Sequence, residues 1–303
     1  MKMKIFFVLL LSALHALNGV AQQDPIYAQY LGNPIVINPA FTAIDDRFNA
    51  GIQYRTQWTG LAGNPVSMNF NSNISLVNNK VGAGILVIQD QIGETKTTEF
   101  NTAYSYKIKL KNSTFSFGLQ AGFVRYSNDP SKLNVRDPTD PNFAFFNEMK
   151  FNTGAGLLLK SDRYVIGFSV PRLLPSTIGV GGQSMKIYDR NYYLMTAYQV
   201  FLTDRVRLRP SVLLRGSSGS PLSADLNLSV NIENLYLAGL FTRNFNTYGV
   251  LLQMIVKFYR IGYVFELPAG SASSLRYTSH EIMLSISPSL LSFHNREKLK
   301  FYP

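Results

Sequence analysis

The chain has 303 residues, a formal net charge of +11, 46% hydrophobic residues and no cysteine. Without cysteine, a disulfide framework, a thiolate metal site, a cysteine nucleophile and a lipidated N-terminal cysteine are all excluded. The basic balance points to anionic lipopolysaccharide or acidic protein surfaces rather than nucleic acid, provided the chain is secreted.

The first element decides that condition. Lys2 and Lys4 precede an apolar run over 5–11 and a weaker one to Leu17, and Gly19-Val20-Ala21 puts small residues at −3 and −1. This pattern predicts a secretory signal peptide over residues 1–21. It is too short for a spanning helix, which needs about 20 apolar residues. Cleavage removes two lysines and leaves a charge of about +9. Beyond Ala21 no apolar run approaches helical spanning length. Lipid admits only helices and closed barrels, because every backbone polar group must be paired there. If the chain enters a membrane, it must do so as a barrel.

Residues 22–46 do not have a strand pattern. Pro25 and the steps Asn33-Pro34 and Asn38-Pro39 impose turns and extended backbone. This segment is expected either to plug a barrel lumen or to lie across its periplasmic mouth.

From Phe48 onward the pattern has a period of two. Val66, Met68, Phe70, Ile74 and Leu76 alternate with Ser67, Asn69, Asn71, Asn73 and Ser75. Residues 221–232 repeat this, with leucines against Ser223, Asp225, Asn227, Ser229 and Asn231. About fourteen such segments begin near Phe48, Val66, Lys80, Thr95, Thr114, Glu148, Arg163, Asn191, Arg205, Leu222, Asn234, Thr247, Arg260 and Tyr277. The count carries a margin of about two, since 80–90 alternates poorly and 260–267 is short. The expected barrel spans 47–287, with a tail over 288–303. Tight turns at Asn78-Asn79, Lys111-Asn112, Ser161-Asp162, Thr203-Asp204 and Glu233-Asn234 alternate with longer links at 59–65, 89–94, 127–147, 171–189, 216–220 and 268–276. Bacterial barrels have short periplasmic turns and longer outer loops. A soluble β-sandwich also alternates. Against it stand polar faces rich in Asn, Ser and Gly, and aromatics at segment ends: Tyr54 and Trp58, Tyr104 and Tyr106, Tyr192 and Tyr193, Phe258 and Tyr259. The expected fold class is an all-β transmembrane antiparallel barrel of the outer membrane.

The run Asp24-Pro25, Gln29-Tyr30, Asn33-Pro34 and Asn38-Pro39-Ala40 resembles the opening signature of the PorP/SprF family. Tyr54-Arg55-Thr56-Gln57-Trp58-Thr59-Gly60 is similar to that family's YRxQW-type segment. Asp90-Gln91-Ile92-Gly93, Arg209-Pro210-Ser211 and His280-Glu281-Ile282-Met283-Leu284 extend the likeness over nearly the whole mature chain. The resemblance implies an outer-membrane protein of Bacteroidota working with the type IX secretion or gliding machinery. It further implies a role in export, anchoring or mobility of surface proteins carrying a type B C-terminal sorting domain. Periplasmic machine components are further implied partners. The tail, with Arg296, Glu297, Lys298 and Lys300, departs from this pattern.

Few constellations suggest chemistry. His280 and Glu281 are strand neighbours and point to opposite faces, so they cannot act on one substrate. No catalytic, metal or cofactor residue is expected, and the chain is taken as a non-enzyme. Gly179–Gly182 lacks the Lys-Ser/Thr of a phosphate loop and fits a flexible outer loop. The connection 127–147, with three Asp-Pro steps, fits either a contact surface or a lid over the lumen. Arg205, Arg207 and Arg209 share a face with Arg215. They fit either a binder of acidic groups on a plug or partner, or charge balance against Asp225 or Glu233. Pro210 predicts a local bulge. The motif residues Asn33, Pro34, Asn38, Pro39, Arg55 and Trp58 are expected to form one structural unit between periplasm and barrel. The alternative function is an outer-membrane diffusion channel or solute transporter.

Overall fold

The computed structural model describes residues 27–130, 145–180, 183–218, 220–270 and 277–294. The expected signal peptide, residues 22–26, most of the 127–147 connection and the tail beyond 294 lie outside the described residues.

The strands are β1 (Phe48–Thr56), β2 (Val66–Leu76), β3 (Val81–Ile92), β4 (Thr95–Lys109), β5 (Ser113–Asn128), β6 (Phe146–Ser161), β7 (Tyr164–Val170), β8 (Ser176–Val180), β9 (Gln183–Tyr188), β10 (Asn191–Tyr198), β11 (Val200–Phe201), β12 (Val206–Ser217), β13 (Ser220–Ile232), β14 (Tyr236–Arg243), β15 (Thr247–Val256), β16 (Tyr259–Pro268) and β17 (Ser279–Ile286). All pair antiparallel. The ladder closes where β1 meets β17 and where β10 meets β12. β11 continues the line of β10 past Gln199, and β8–β9 is a separate hairpin, so the wall is a closed barrel of 14 staves. Every stave begins within about two residues of the start the alternation predicts.

The period of two becomes an outside and an inside. Ile52, Met68, Phe70, Tyr104, Leu119, Leu228, Leu240 and Leu252 face outward, exposed to the bilayer. Gln53, Arg55, Asn69, Asn71, Gln120, Asn227 and Glu281 face inward and are buried. Leu240 stands mid-strand on β14 and is 66% exposed. Leu240→Arg should lower barrel stability by about 2–4 kcal/mol in urea unfolding from lipid, the cost of a cation on the lipid face. A loss under about 0.5 kcal/mol would mean this surface does not meet hydrocarbon.

The connections need two corrections. The 89–94 link is a two-residue turn, because β3 runs to Ile92 and β4 begins at Thr95. Likewise β12 and β13 extend so far that 216–220 shrinks to 218–219. In both cases polar, β-compatible residues continue the ladder beyond the apolar alternation that marked the segment ends. β5 and β6 have 16 residues each, well above the about 9–11 a crossing needs, so they project past the membrane at the loop end. The 171–189 link holds the β8–β9 hairpin rather than a loop alone. Its edge carries the Lys186–Asp189 ion pair. With the Arg190 backbone N–H, Lys186 holds the Asp189 carboxyl below the usual carboxylate range.

Pro210 does not make a bulge. Register is continuous from Val206 through Arg215, and the irregularity falls later, between Arg215 and Ser217. The missing donor is absorbed by the neighbouring strand, which breaks at Gln199 while keeping register on both sides. Tyr193 is a further correction. It is buried inside the barrel, whereas Tyr192 belongs to the outward aromatics.

Candidate functional site

The interior is where the chain's unusual residues converge. Each Asn-Pro step starts a short 3-10 turn, Pro34–Val36 and Pro39–Phe41, with proline at the first position, where no N–H is required. The Asn38 side chain caps the second turn by accepting from Ala40 N at 2.8 Å. Its amide also donates to the carbonyls of Leu157 and Phe168 at 3.1 and 3.3 Å. Asn33 caps nothing. It donates to Asn69 Oδ1 at 2.8 Å and accepts from Asn71 Nδ2 at 2.9 Å.

The segment 27–46 is thus stitched to inward-facing side chains on many staves. Ser105 and Ser116 donate to the carbonyls of Thr42 and Ala40, at 2.7 and 2.8 Å, and Ser169 donates to that of Ile37 at 2.6 Å. Asn73 accepts from Ala43 N at 2.9 Å. Lys107 Nζ donates to Ala43 O and to Asp46, both at 2.6 Å. Buried polar groups satisfied in this way fix one docking register, because any slip leaves several unpaired. Two inward glycines permit the approach. A Cβ on Gly118 would lie 2.3 Å from Ala40 N, and one on Gly156 would lie 2.0 Å from Asn38 Oδ1.

Apolar packing supplies the rest of the docking. Tyr30, Leu31, Ile37, Phe41 and Ile44 cluster with Leu158, Val165, Tyr193, Met195 and Leu213 of the wall. Ala28 packs with Leu237, Phe241, Leu251 and Val264. Full burial of each large apolar side chain contributes roughly 1.5–3 kcal/mol relative to a wet lumen. This also explains the poor alternation at 80–90. Leu86 is apolar on the inward face because that part of the lumen is lined rather than wet.

A charged clasp sits toward the loop end. Arg55 makes two 2.7 Å bonds to the Glu266 carboxylate and one of 3.2 Å to Glu281. Glu281, fully buried, accepts the backbone N–H groups of Ala28 and Gln29 at 2.8 and 3.0 Å, and Gln53 Nε2 at 2.5 Å. Arg243 pairs beside it with Asp225 at 2.9 Å. A bidentate guanidinium between carboxylates is the strong form of ion pair. It joins β1, β16 and β17 to the N-terminal segment.

Arg55 therefore meets the segment of Asn33, Pro34, Asn38 and Pro39 through Glu281. Trp58 does not join them. It lies in the 57–65 connection, 37% exposed, with its backbone N–H donating to Ser279 Oγ at 3.3 Å. Arg205 is at the opposite rim, paired with Glu233 at 3.3 Å. Arg207 donates to Asn234 Oδ1 at 2.7 Å and stacks over Phe201. Arg209 is buried in the wall below Tyr30, and Asp225 takes Arg243 rather than a member of this row. His280 points to the rim, bonded to Tyr263 Oη at 2.8 Å, while Glu281 points inward. Among the described residues, no three metal-ligating side chains converge. Sequence reasoning missed Glu281, Gln53 and Lys107 as segment partners, and Glu266 as the second carboxylate on Arg55. Glu281, the one carboxylate on β17 and on its inward face, was the available signal.

A closed antiparallel wall, apolar outside and polar inside, defines an outer-membrane β-barrel. Solved structures share this fold. The CymD monoaromatic hydrocarbon channel matches with a TM-score of 0.51 at 10% identity, covering 92% of this chain and 96% of its own. A TodX deletion mutant, also a monoaromatic hydrocarbon channel, matches at 0.50 and 11% identity, covering 86% and 94%. Omp33 of Acinetobacter baumannii matches at 0.46 and 7%, covering 81% and 100%. No curated protein sequence matches. The chain belongs to the type IX secretion system membrane protein PorP/SprF family, whose model matches residues 19–286. It is an outer-membrane component of that secretion system.

Proposed function

We propose that this barrel is a sealed platform rather than a solute pore, supporting export, anchoring or mobility of surface proteins with a type B C-terminal sorting domain. The supporting observation is the inner segment. Residues 27–46 are buried against staves all around the wall, from the Glu281 clasp to Lys107. A transport path would have to displace these contacts. In this reading residues 1–21 are removed, 22–46 form the plug, 47–287 the barrel and 288–303 a tail. The short-turn end, which carries both ends of the barrel, faces the periplasm.

The test is a mild-detergent pull-down of the tagged barrel with mass spectrometry, paired with planar-bilayer recording. The expected result is a large sorting-domain protein or periplasmic machine components in stoichiometric yield, with a silent bilayer. A barrel recovered alone that conducts ions would instead establish the channel alternative.

A further inference from the structure

On the outward face of β4 to β6 the apolar band ends in a pair of cations. Phe100, Phe123 and Phe151 stand side by side in register, all exposed to the bilayer, the last two edge-to-face at 5.6 Å. One outward position nearer the loops on β5 comes Arg125, which is exposed and lies opposite Thr98 of β4. Lys96, two residues from Thr98 on the same face, is half-buried. Such diagonal neighbours are about 7–8 Å apart, within reach of long side chains. Arg125 Nε donates to Asn147 Oδ1 at 2.7 Å, so a neutral amide holds the guanidinium by one of its nitrogens. Among the described residues, no carboxylate pairs with either cation. The acidic residues next along the chain, Glu94 and Asp129, belong to the connections beyond the strand ends. On the same outer surface a groove of about 310 Å3 runs across β17, β1, β2 and β3. Ile52, Met68, Phe70, Val87, Ile282 and Leu284 line it, with Gln89 on the side of the cations. Gln89 is opposite Thr98, which is opposite Arg125. Two strand spacings therefore separate groove and cation, roughly 10 Å.

We propose that this face binds a phosphorylated, acylated glycolipid of the lipid A type, with a phosphate on Lys96 and Arg125, the sugar over Thr98 and Gln89, and an acyl chain in the groove. The inference takes from the reading above only the orientation, loops outward, which sets both features toward the outer leaflet. Hydrocarbon fills any groove on a lipid-facing wall, so the charge beside it is what selects the lipid. Guanidinium and phosphate form strong charge-assisted hydrogen bonds. Long basic side chains at the edge of the apolar band keep their heads at headgroup level while their stems lie on the wall. The spacing favours a glycolipid over a phospholipid. A phospholipid carries its one phosphate directly above its two chains, whereas a phosphorylated disaccharide spreads its chains sideways and spans the roughly 10 Å between Arg125 and the groove.

The full barrel in detergent is titrated with bisphosphorylated lipid A, and bound lipid is counted by native mass spectrometry. Phosphatidylglycerol, dephosphorylated lipid A and inorganic phosphate are the comparisons. The headgroup variant is K96Q with R125Q, and the groove variant is V87F. The charge-matched control is K80Q with K111Q, exposed on turns at the opposite end. Retention of the compact form on unheated gels shows that each variant folds. Lipid A affinity is expected to fall roughly tenfold or more in the headgroup variant and several-fold in the groove variant, and to stay within about twofold in the control. Equal loss in the control would show net charge alone at work and overturn the proposal. So would unchanged binding in either site variant, or equal binding of phosphatidylglycerol or dephosphorylated lipid A. Displacement of lipid A by inorganic phosphate at equal phosphate concentration would reduce the site to one for free phosphate and overturn it too. None of these outcomes touches the pull-down result, so the two readings fail separately.

Discussion

Arg55→Ala is expected to lower barrel stability by about 3–5 kcal/mol, the penalty for leaving a buried charge without its partner. The variant strands Glu266 and Glu281 together in the interior, with the 2.7 Å and 3.2 Å bonds gone. Glu281 then remains tied only to Gln53 and to the Ala28 and Gln29 N–H groups. Urea unfolding followed by Trp58, the single tryptophan, measures this directly, since the Trp58 backbone N–H is bonded to Ser279 of the same strand as Glu281. Arg55→Lys should recover less than half of the loss, because an ammonium cannot make the bidentate contact. Adding Glu266→Gln to Arg55→Ala should recover part of it by removing one orphaned charge. A loss below about 1 kcal/mol for Arg55→Ala would mean that water reaches the clasp and screens it.

The second large effect is expected at Gly118. Gly118→Val places its first side-chain carbon 2.3 Å from Ala40 N and from the Pro39 carbonyl carbon, both backbone atoms that no rotamer change can move. The wall is held by ladders to β4 and β6, so the inner segment must yield. Overpacking of this kind costs about 1–3 kcal/mol, which raises the undocked population roughly 5- to 150-fold. The measurement is limited proteolysis of residues 27–46 together with single-barrel conductance. Both should rise in Gly118→Val and remain unchanged in Leu119→Val, whose side chain faces outward. A Gly118→Val barrel that resists protease and stays silent would show that the segment can dock in a second arrangement.

The two predictions divide what the sequence discloses from what it hides. Stave positions are legible because membrane and lumen impose opposite demands on alternate residues, so Leu226 and Asn227 already declare their faces. Where both faces are apolar the rule weakens, as at Leu86 and Val264, because the inward side there meets packed protein rather than water. Strand ends are blurred at Ile92 and Ser217 for the opposite reason, since past the membrane nothing demands an apolar face. The Asn-Pro steps announce tight turns, and they make them. Their partners are long-range, however: nothing local to Asn33 names Asn69 and Asn71, and nothing near Ala28 names Glu281. Arg55 was legible as a motif residue, while Trp58 beside it follows the loop rather than the clasp. The arginine row divides too, because its three members sit at different depths and meet a rim glutamate, an amide and the buried wall.

The bond from Ala28 to Glu281 spans 253 positions of sequence. Its acceptor belongs to β17, the strand that also closes the wall against β1. The backbone N–H groups of Ala28 and Gln29 therefore have no carboxylate to dock on until the last strand is in place. The Asn-Pro turns find their partners on earlier strands, at Asn69, Leu157 and Phe168, so closure by β17 completes the docking rather than starting it. An unpaired Ala28–Gln29 backbone thus marks an unfinished barrel, so a chain truncated before Ser279 would carry its own sign of incompleteness at the start of the segment.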